Sequence, residues 1–238
     1  MIAPCFVAGR NHAPPQSPPE IKRIYPEEPQ EIVSKVAETT MEVSIPMFVI
    51  AIKDSVGVAA PCYPATKEYL GVPKKPDTKG LVPLQVKKHV AIEIILNMLI
   101  GKSSELYKKL YESELIISEL SLEYEFAKTY GHIAITGQSK EPKKVLEELI
   151  KEINNLKQNG IQEENFKRIK NMIYGDYVKE YNNVSDICRM FVADYFKGIN
   201  SFDYIEEAEN IQITDIEQVL NEVFKEEKIA ISIVKNKE

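Results

Sequence analysis

The 238-residue chain has the composition of an ordinary globular protein, with 44% hydrophobic and 28% charged residues. These fractions disfavour collagen-like, coiled-coil and disordered classes. The net charge is −6, and the lysines are interleaved with glutamates instead of forming a basic patch, so nucleic acid is not an expected partner. No apolar run approaches the roughly 20 residues of a membrane-spanning helix, so we expect no membrane partner either.

Cysteine usage and the N-terminal residues predict a cytoplasmic protein. Cys5, Cys62 and Cys188 are odd in number and widely spaced, which indicates neither a disulfide framework nor a C-x-x-C zinc site. Residues 1–8 are apolar but lack the basic start and the length of a secretory signal. We interpret the three cysteines as reduced packing residues.

Proline density divides the chain into two predicted parts. Six prolines fall between Ala13 and Pro29, and proline at that density favours extended, non-helical chain. We therefore interpret residues 1–30 as a strand remnant, Ile2 to Gly9, followed by an interdomain linker, and residues 31–238 as one domain. A second proline-rich stretch, Ser55 to Pro83, has no regular period and is predicted to be a long loop.

Strand signals occur at both ends of the predicted domain and in its middle. Val36 to Lys53 alternates in the manner of a long strand, broken or bulged at Pro46. Ser118 to Phe126 and Tyr130 to Gln138 alternate like two paired strands joined by a short hairpin. Ile229 to Val234 predicts a closing strand.

Apolar residues at three- and four-residue spacings predict helices between these strands. Four predicted helices span Leu84 to Ile100, Pro142 to Gly160, Glu163 to Tyr181, and Ser185 to Phe196. Another helix is capped by Ser103 or Ser104 and runs through Tyr111, and a last one, with a capping box of Thr214 and Glu217, runs to Phe224. Helices grouped between paired strands indicate an α+β fold, a mainly antiparallel sheet with its helices on one face.

Several of these segments resemble one peptidase family in the same order. The run VLEELIKEINNLKQNGIQEENFKRIK resembles the long helix, G-I-[TS]-x-x-E-L linker and following helix of insulinase/pitrilysin-type zinc peptidases. The strand pair SLEYEFA and YGHIAITG, and the ending ITDIEQVLNEVF with IAISIV, look like the same domain. The resemblance covers about Ile32 to Val234 and implies the second of two homologous domains that the family joins by an extended linker.

The zinc-binding motif of that family is missing from this sequence. The family binds zinc through H-x-x-E-H on a helix and a distant glutamate, whereas the only histidines here are His12, His89 and His132. The resemblance therefore implies a chain with no catalytic residue and no metal of its own, and zinc in a homologous N-terminal domain or subunit. It also implies a peptide substrate, and it is compatible with a homo-oligomer of this chain.

His89 and His132 are the two histidines of the predicted domain that could be metal ligands. His89 and Glu93 lie one helical turn apart, a spacing that can hold a metal, but two ligands are too few and a solvated polar edge is the favoured interpretation. His132 lies within an alternating strand and is interpreted as a packed or surface residue.

Candidate substrate-binding residues follow the motif S-S-x-L. In the family this segment supplies an arginine and a tyrosine that grip the substrate, but here Tyr111 stands in place of the arginine and Ile117 or Ser118 in place of the tyrosine. Lys109 could offer its charge to a substrate carbonyl or C-terminus, or could belong to an ordinary helix surface. We take Lys109, Tyr111 and Ser118 as candidates, and Ser118 to Glu125 as an edge for strand addition by a peptide.

The sequence thus predicts a non-catalytic C-terminal half or subunit of an insulinase-like zinc metallopeptidase, which helps enclose and bind peptides for a zinc-bearing partner. Such a role predicts an apolar patch suited to a partner surface. The alternatives are a non-enzymatic assembly subunit of the same fold and, less favoured, a metalloenzyme built on His89 and Glu93.

Overall fold

In the computed structural model, one five-stranded sheet is covered on one face by helices. The structure describes residue 29 and residues 31–54, 82–127 and 130–237. The strands are β1 (Val36–Met41), β2 (Met47–Asp54), β3 (Ser121–Phe126), β4 (Gly131–Gln138) and β5 (Ile229–Asn236). The helices are α1 (Val82–Ile100), α2 (Glu105–Glu112), α3 (Pro142–Asn159), α4 (Glu163–Glu180), α5 (Val184–Lys197), α6 (Asp203–Asn210) and α7 (Ile213–Val223).

The strand order is β1-β5-β2-β4-β3, and among the described strands only the β1–β5 pair is parallel. The prediction of one broken strand from Val36 to Lys53 is therefore wrong. The two halves are separate strands, and β5 lies between them, with Ile231 opposite both Val36 and Ile50. Local alternation could not show this because the inserted strand comes from the far end of the chain.

The core lies on the helix-bearing face of the sheet. Alternate residues of β2 are buried, Phe48, Ile50 and Ile52 among them, while the residues between them are partly exposed. α1 contacts α4, α6 and α7 and is apolar on nearly all sides, as expected for a helix enclosed by others. The predicted α+β fold, a mostly antiparallel sheet with helices on one face, is confirmed.

Most predicted helix ends agree with the structure, and two do not. The Oγ of Ser104 accepts a hydrogen bond from the backbone N–H of Tyr107 at 3.1 Å and caps α2 as predicted. α1 begins at Val82, inside the stretch predicted as loop. The capping box of α7 is wrong, because the helix begins earlier and the N–H of Gln212 donates to Oδ2 of Asp215 at 2.9 Å.

α6 was not predicted from the sequence. It is short and acidic, and only Tyr204 and Ala208 are buried, which is too few apolar residues to establish a period. The predicted strand from Ser118 is also wrong at its start, since β3 begins at Ser121.

Several predicted segments fall outside the described residues. These are the strand remnant and most of the linker in residues 1–30, residues 55–81 of the proline-rich loop, and residues 128–129 of the hairpin. Of the helices that the structure describes, none combines the length and apolar character needed to cross a membrane.

Candidate peptide-binding site

The three candidate substrate-binding residues lie on α2 and in the loop that follows it. Tyr111 is exposed and stacks on Tyr107, with ring centroids 6.1 Å apart and ring planes 9° from parallel. Ser118 is exposed in the loop between α2 and β3. Lys109 projects from the same helix, so the segment offers a cation, an aromatic ring and a hydroxyl to solvent.

The ammonium of Lys109 already has an acidic partner. Its Nζ donates to Oε2 of Glu148 on α3, and the Nζ of Lys151 donates to the other oxygen of this carboxylate at 2.7 Å. These two hydrogen bonds hold the pKa of Glu148 below its ordinary value. A substrate carboxylate that uses Lys109 must therefore compete with Glu148.

His89 is not on a solvated edge, and that interpretation is corrected. Its ring is enclosed by Tyr124, Phe126 and Tyr204, whose rings meet it edge to face with centroids 5.2–5.7 Å away. His89 Nε2 lies 3.3 Å from Oε1 of Glu93, and His89 Nδ1 is buried without a hydrogen-bond partner among the described residues. His89 is thus a partly buried residue packed among aromatic rings, with its side chain 17% exposed, which α1 periodicity alone did not show.

A second polar network joins α1 to the ends of β2 and β3. The Nζ of Lys88 donates to Oδ1 of Asp54 at 2.7 Å, and the hydroxyl of Tyr124 donates to Oδ2 at 2.7 Å. Gln85 Nε2 donates to the same hydroxyl at 3.1 Å. Burial, followed by the charge of Asp54, raises the pKa of Tyr124, so this hydroxyl stays protonated and remains a donor.

A cleft of about 200 Å³ opens between β3 and α4, with α1 contributing the rest of its wall. Glu93 of α1 accepts a hydrogen bond from the hydroxyl of Tyr177 on α4. Asp176 and Glu180 of α4 line the same cleft. Burial, and then the charge of Glu93, raises the pKa of Glu180 above its ordinary value. The sequence analysis missed this cleft, although Asp176 and Glu180 stand four residues apart on one helix face.

Within the part of the chain that the structure describes, no group of three or more His, Cys, Asp or Glu side chains is arranged to hold a metal ion. His132 is exposed on β4, with its ring centroid 6.0 Å from that of Tyr130. His89 is partly buried among aromatic rings, and His12 falls outside the described residues.

The outer side of α5 is an apolar stripe. Val184, Cys188, Val192 and Phe196 recur every four residues along the helix, and all four are exposed. The exposed fractions are 75% for Val184, 57% for Val192 and 77% for Phe196. Asp194 is the one buried residue of the helix. We call these four residues the α5 stripe.

Comparison with known proteins shows similarity to one family. Residues 64–173 match the family model described as the peptidase M16 inactive domain. A curated relative, the "Uncharacterized zinc protease YmfH" of Bacillus subtilis strain 168, is 25% identical over 215 residues, which are 90% of this chain and 45% of the relative. The chain thus spans about half the length of that relative.

Solved structures agree on the fold. An M16-like peptidase from Alicyclobacillus acidocaldarius matches with a TM-score of 0.78 at 20% identity, covering 93% of this chain and 48% of that one. A peptidase M16 inactive domain from Pseudomonas fluorescens matches with a TM-score of 0.61 at 12% identity, covering 89% and 46%. In agreement with the resemblance in its sequence, this chain is similar to the inactive, C-terminal type of domain of the insulinase/pitrilysin-like M16 zinc peptidases.

Proposed function

We propose that this chain is the non-catalytic half, or a non-catalytic subunit, of an insulinase-like zinc metallopeptidase in the cytoplasm. It helps to enclose a peptide substrate, and a homologous zinc-bearing domain hydrolyses it. Two facts support this assignment of binding to one domain and hydrolysis to another. The sequence has no H-x-x-E-H, and the chain spans about half the length of its relatives. In the partner, a bound zinc ion would polarise the scissile carbonyl and lower the pKa of the attacking water.

The observation that carries the proposal is the α5 stripe. Singly exposed apolar residues are normal, but contiguous ones mark surfaces that another protein covers. The stripe is continuous over three turns, and α5 makes little contact with the other described elements. A homologous domain of the same peptidase is the occupant that the half-length match favours.

The α2 segment supplies the proposed substrate contacts. Lys109 offers a positive charge to a substrate carbonyl or C-terminal carboxylate, and Tyr111 and Ser118 offer a ring and a hydroxyl nearby in sequence. Lys109 is a flexible point charge, so it orients a substrate less strictly than the planar guanidinium of an arginine. Its contact with Glu148 makes its contribution to substrate binding modest.

The test is a reconstitution with a homologous domain that carries H-x-x-E-H. We expect the two to form a complex that cleaves a quenched fluorescent peptide library and loses this activity on chelation, while this chain alone does not cleave. The double variant Val192→Glu/Phe196→Glu should abolish the complex, because it buries two carboxylates in an apolar contact. The matched control is Val33→Glu, which places the same group at a fully exposed site.

Each alternative outcome has a definite meaning. Zinc bound by this chain alone together with chelator-sensitive cleavage would overturn the proposal in favour of an independent metalloenzyme. A complex that forms through the α5 stripe but never cleaves would indicate the non-enzymatic assembly subunit. If the double variant associates as well as the wild type, the stripe is not the docking surface.

A further inference from the structure

The cleft between β3 and α4 has the size of one long side chain. Its volume of about 200 Å³ is below the roughly 300–1,000 Å³ of pockets that enclose whole small-molecule ligands. Three elements form its wall, with Leu122 and Tyr124 from β3, Ile173 and Tyr177 from α4, and Leu96 from α1. These apolar and aromatic groups suit the methylene stem of a lysine or arginine, and the tyrosine rings suit its cationic head.

The polar part of the wall is negatively charged. Glu93, Asp176 and Glu180 all line the cleft, together with the amide of Asn97. Among the described residues, neither Asp176 nor Glu180 forms an ion pair, and Glu93 has only the hydroxyl of Tyr177 and the ring of His89 as partners. Carboxylates this close together repel one another, so a cation entering the cleft would be stabilised.

The raised pKa of Glu180 agrees with this picture. Burial is its largest cause, and the negative charges of neighbouring carboxylates, Glu93 first, add to it. A positive ligand would remove part of that repulsion, whereas an acidic ligand would increase it.

One wall of the cleft belongs to an edge strand. β3 is hydrogen-bonded to β4 on one side, and no other described strand pairs with its second side. Leu122 and Tyr124 alternate with the exposed Glu123, so the cleft-facing side chains of β3 recur at every second residue. A further strand added at this edge would direct alternate side chains toward the same helical face of the sheet.

We propose that an extended peptide adds to the free edge of β3 and inserts a lysine or arginine side chain into the cleft lined by Glu93, Asp176 and Glu180. The proposal rests on the proposed role in peptide binding and gives it a site and a preference. The backbone hydrogen bonds of strand addition supply affinity without sequence dependence, and the acidic cleft selects a basic side chain.

The test measures peptide binding by this chain alone, with no zinc-bearing partner present. The probes are fluorescein-labelled peptides of about eight threonine, valine and serine residues, enough to span a strand. They carry a single central lysine, glutamine or glutamate. Fluorescence anisotropy should give the tightest binding for lysine and the weakest for glutamate, with lysine at least about fivefold tighter than glutamine, as for a partly desolvated ion pair.

Variants locate the site. Asp176→Asn/Glu180→Gln should bring the lysine and glutamine peptides to nearly equal affinity, because the uncompensated charges are gone. Glu164→Gln is the control, since it removes one carboxylate charge from the same helix, about 18 Å from Asp176 and about 24 Å from Glu180 at 1.5 Å per residue. It should leave the fivefold preference unchanged. All three positions are exposed, so the fold should persist.

A lysine peptide with alternate backbone nitrogens methylated tests the strand. It should bind about tenfold or more weakly, because it cannot complete the ladder of hydrogen bonds. Equal affinity of the methylated peptide, an unchanged preference in the double variant, or no binding of the lysine peptide would each overturn the inference. None of these results depends on the α5 stripe or on zinc, so failure here is distinct from failure of the proposed function.

Discussion

The buried carboxylate of Asp54 offers a quantitative test of how this domain is held together. Its side chain is 1% exposed and accepts hydrogen bonds from Lys88 and Tyr124, each at 2.7 Å. In Asp54→Ala the ammonium of Lys88 loses its counter-ion and the hydroxyl of Tyr124 loses its acceptor. The substitution should therefore destabilise the fold because it leaves two polar groups without hydrogen-bond partners, while the loss of packing is small.

The magnitude follows from the burial of each group. Breaking a buried ion pair on one side costs roughly 3–5 kcal/mol, and the lower end applies because Lys88 is 16% exposed and can reach water. An unsatisfied hydroxyl adds about 1 kcal/mol. The free energy of unfolding should fall by about 4 kcal/mol, which moves the urea midpoint by about 1.5 M at an m-value near 2.5 kcal/mol/M.

Equilibrium unfolding in urea, followed by circular dichroism, measures this change. The double variant Asp54→Ala/Lys88→Met should be more stable than Asp54→Ala by at least about 1 kcal/mol, because it also removes the ammonium that has lost its counter-ion. Glu163→Ala is the control, since it also deprives a lysine of its carboxylate but on the surface, and it should leave the urea midpoint nearly unchanged. A shift below about 0.4 M for Asp54→Ala, or a double variant no more stable than the single one, would refute the reasoning.

Two further predictions concern strands β1 and β4 of the sheet. Hydrogen bonds from Lys235 and then Lys143 lower the pKa of Glu38 to about 2, so its contribution to stability is present above the unfolded-state pKa near 4.3 and is lost as the pH falls toward 2. The melting temperatures of the wild type and Glu38→Gln should therefore converge between about pH 5 and pH 2, and a constant difference would contradict this. Gly137→Ala would place a methyl group 2.2 Å from Cδ2 of Leu120, so it should lower the free energy of unfolding by about 2 kcal/mol, and Leu120→Ala in the same chain should relieve the added strain.

Residue patterns within short windows predicted much of the fold correctly. The alternation in β3, β4 and β5 and the apolar spacing in α1, α3 and α4 are consequences of burying one side of each element. Ser104 and Gly160 marked helix ends because capping involves neighbours a few residues apart. The absence of H-x-x-E-H, read from the sequence, also directed the functional assignment.

The candidate site was predicted less completely. The sequence singled out Lys109 and Tyr111 by their place after S-S-x-L, but it could not show that Lys109 is held by Glu148 on another helix. It favoured a solvated edge for His89, whose ring is in fact enclosed by Tyr124 and Tyr204 from two distant segments.

By itself, the sequence determined most of the segments that form helices and strands, that the chain lacks the zinc motif, and which family it resembles. The tertiary structure decided that β5 separates β1 from β2, that the α5 stripe is left uncovered by the other described elements, and that β3 and α4 enclose an acidic cleft. The physical reason is the sequence separation of the interacting residues. Periodicity and capping depend on residues a few positions apart, whereas strand order, exposure and clefts depend on contacts between segments far apart in the chain.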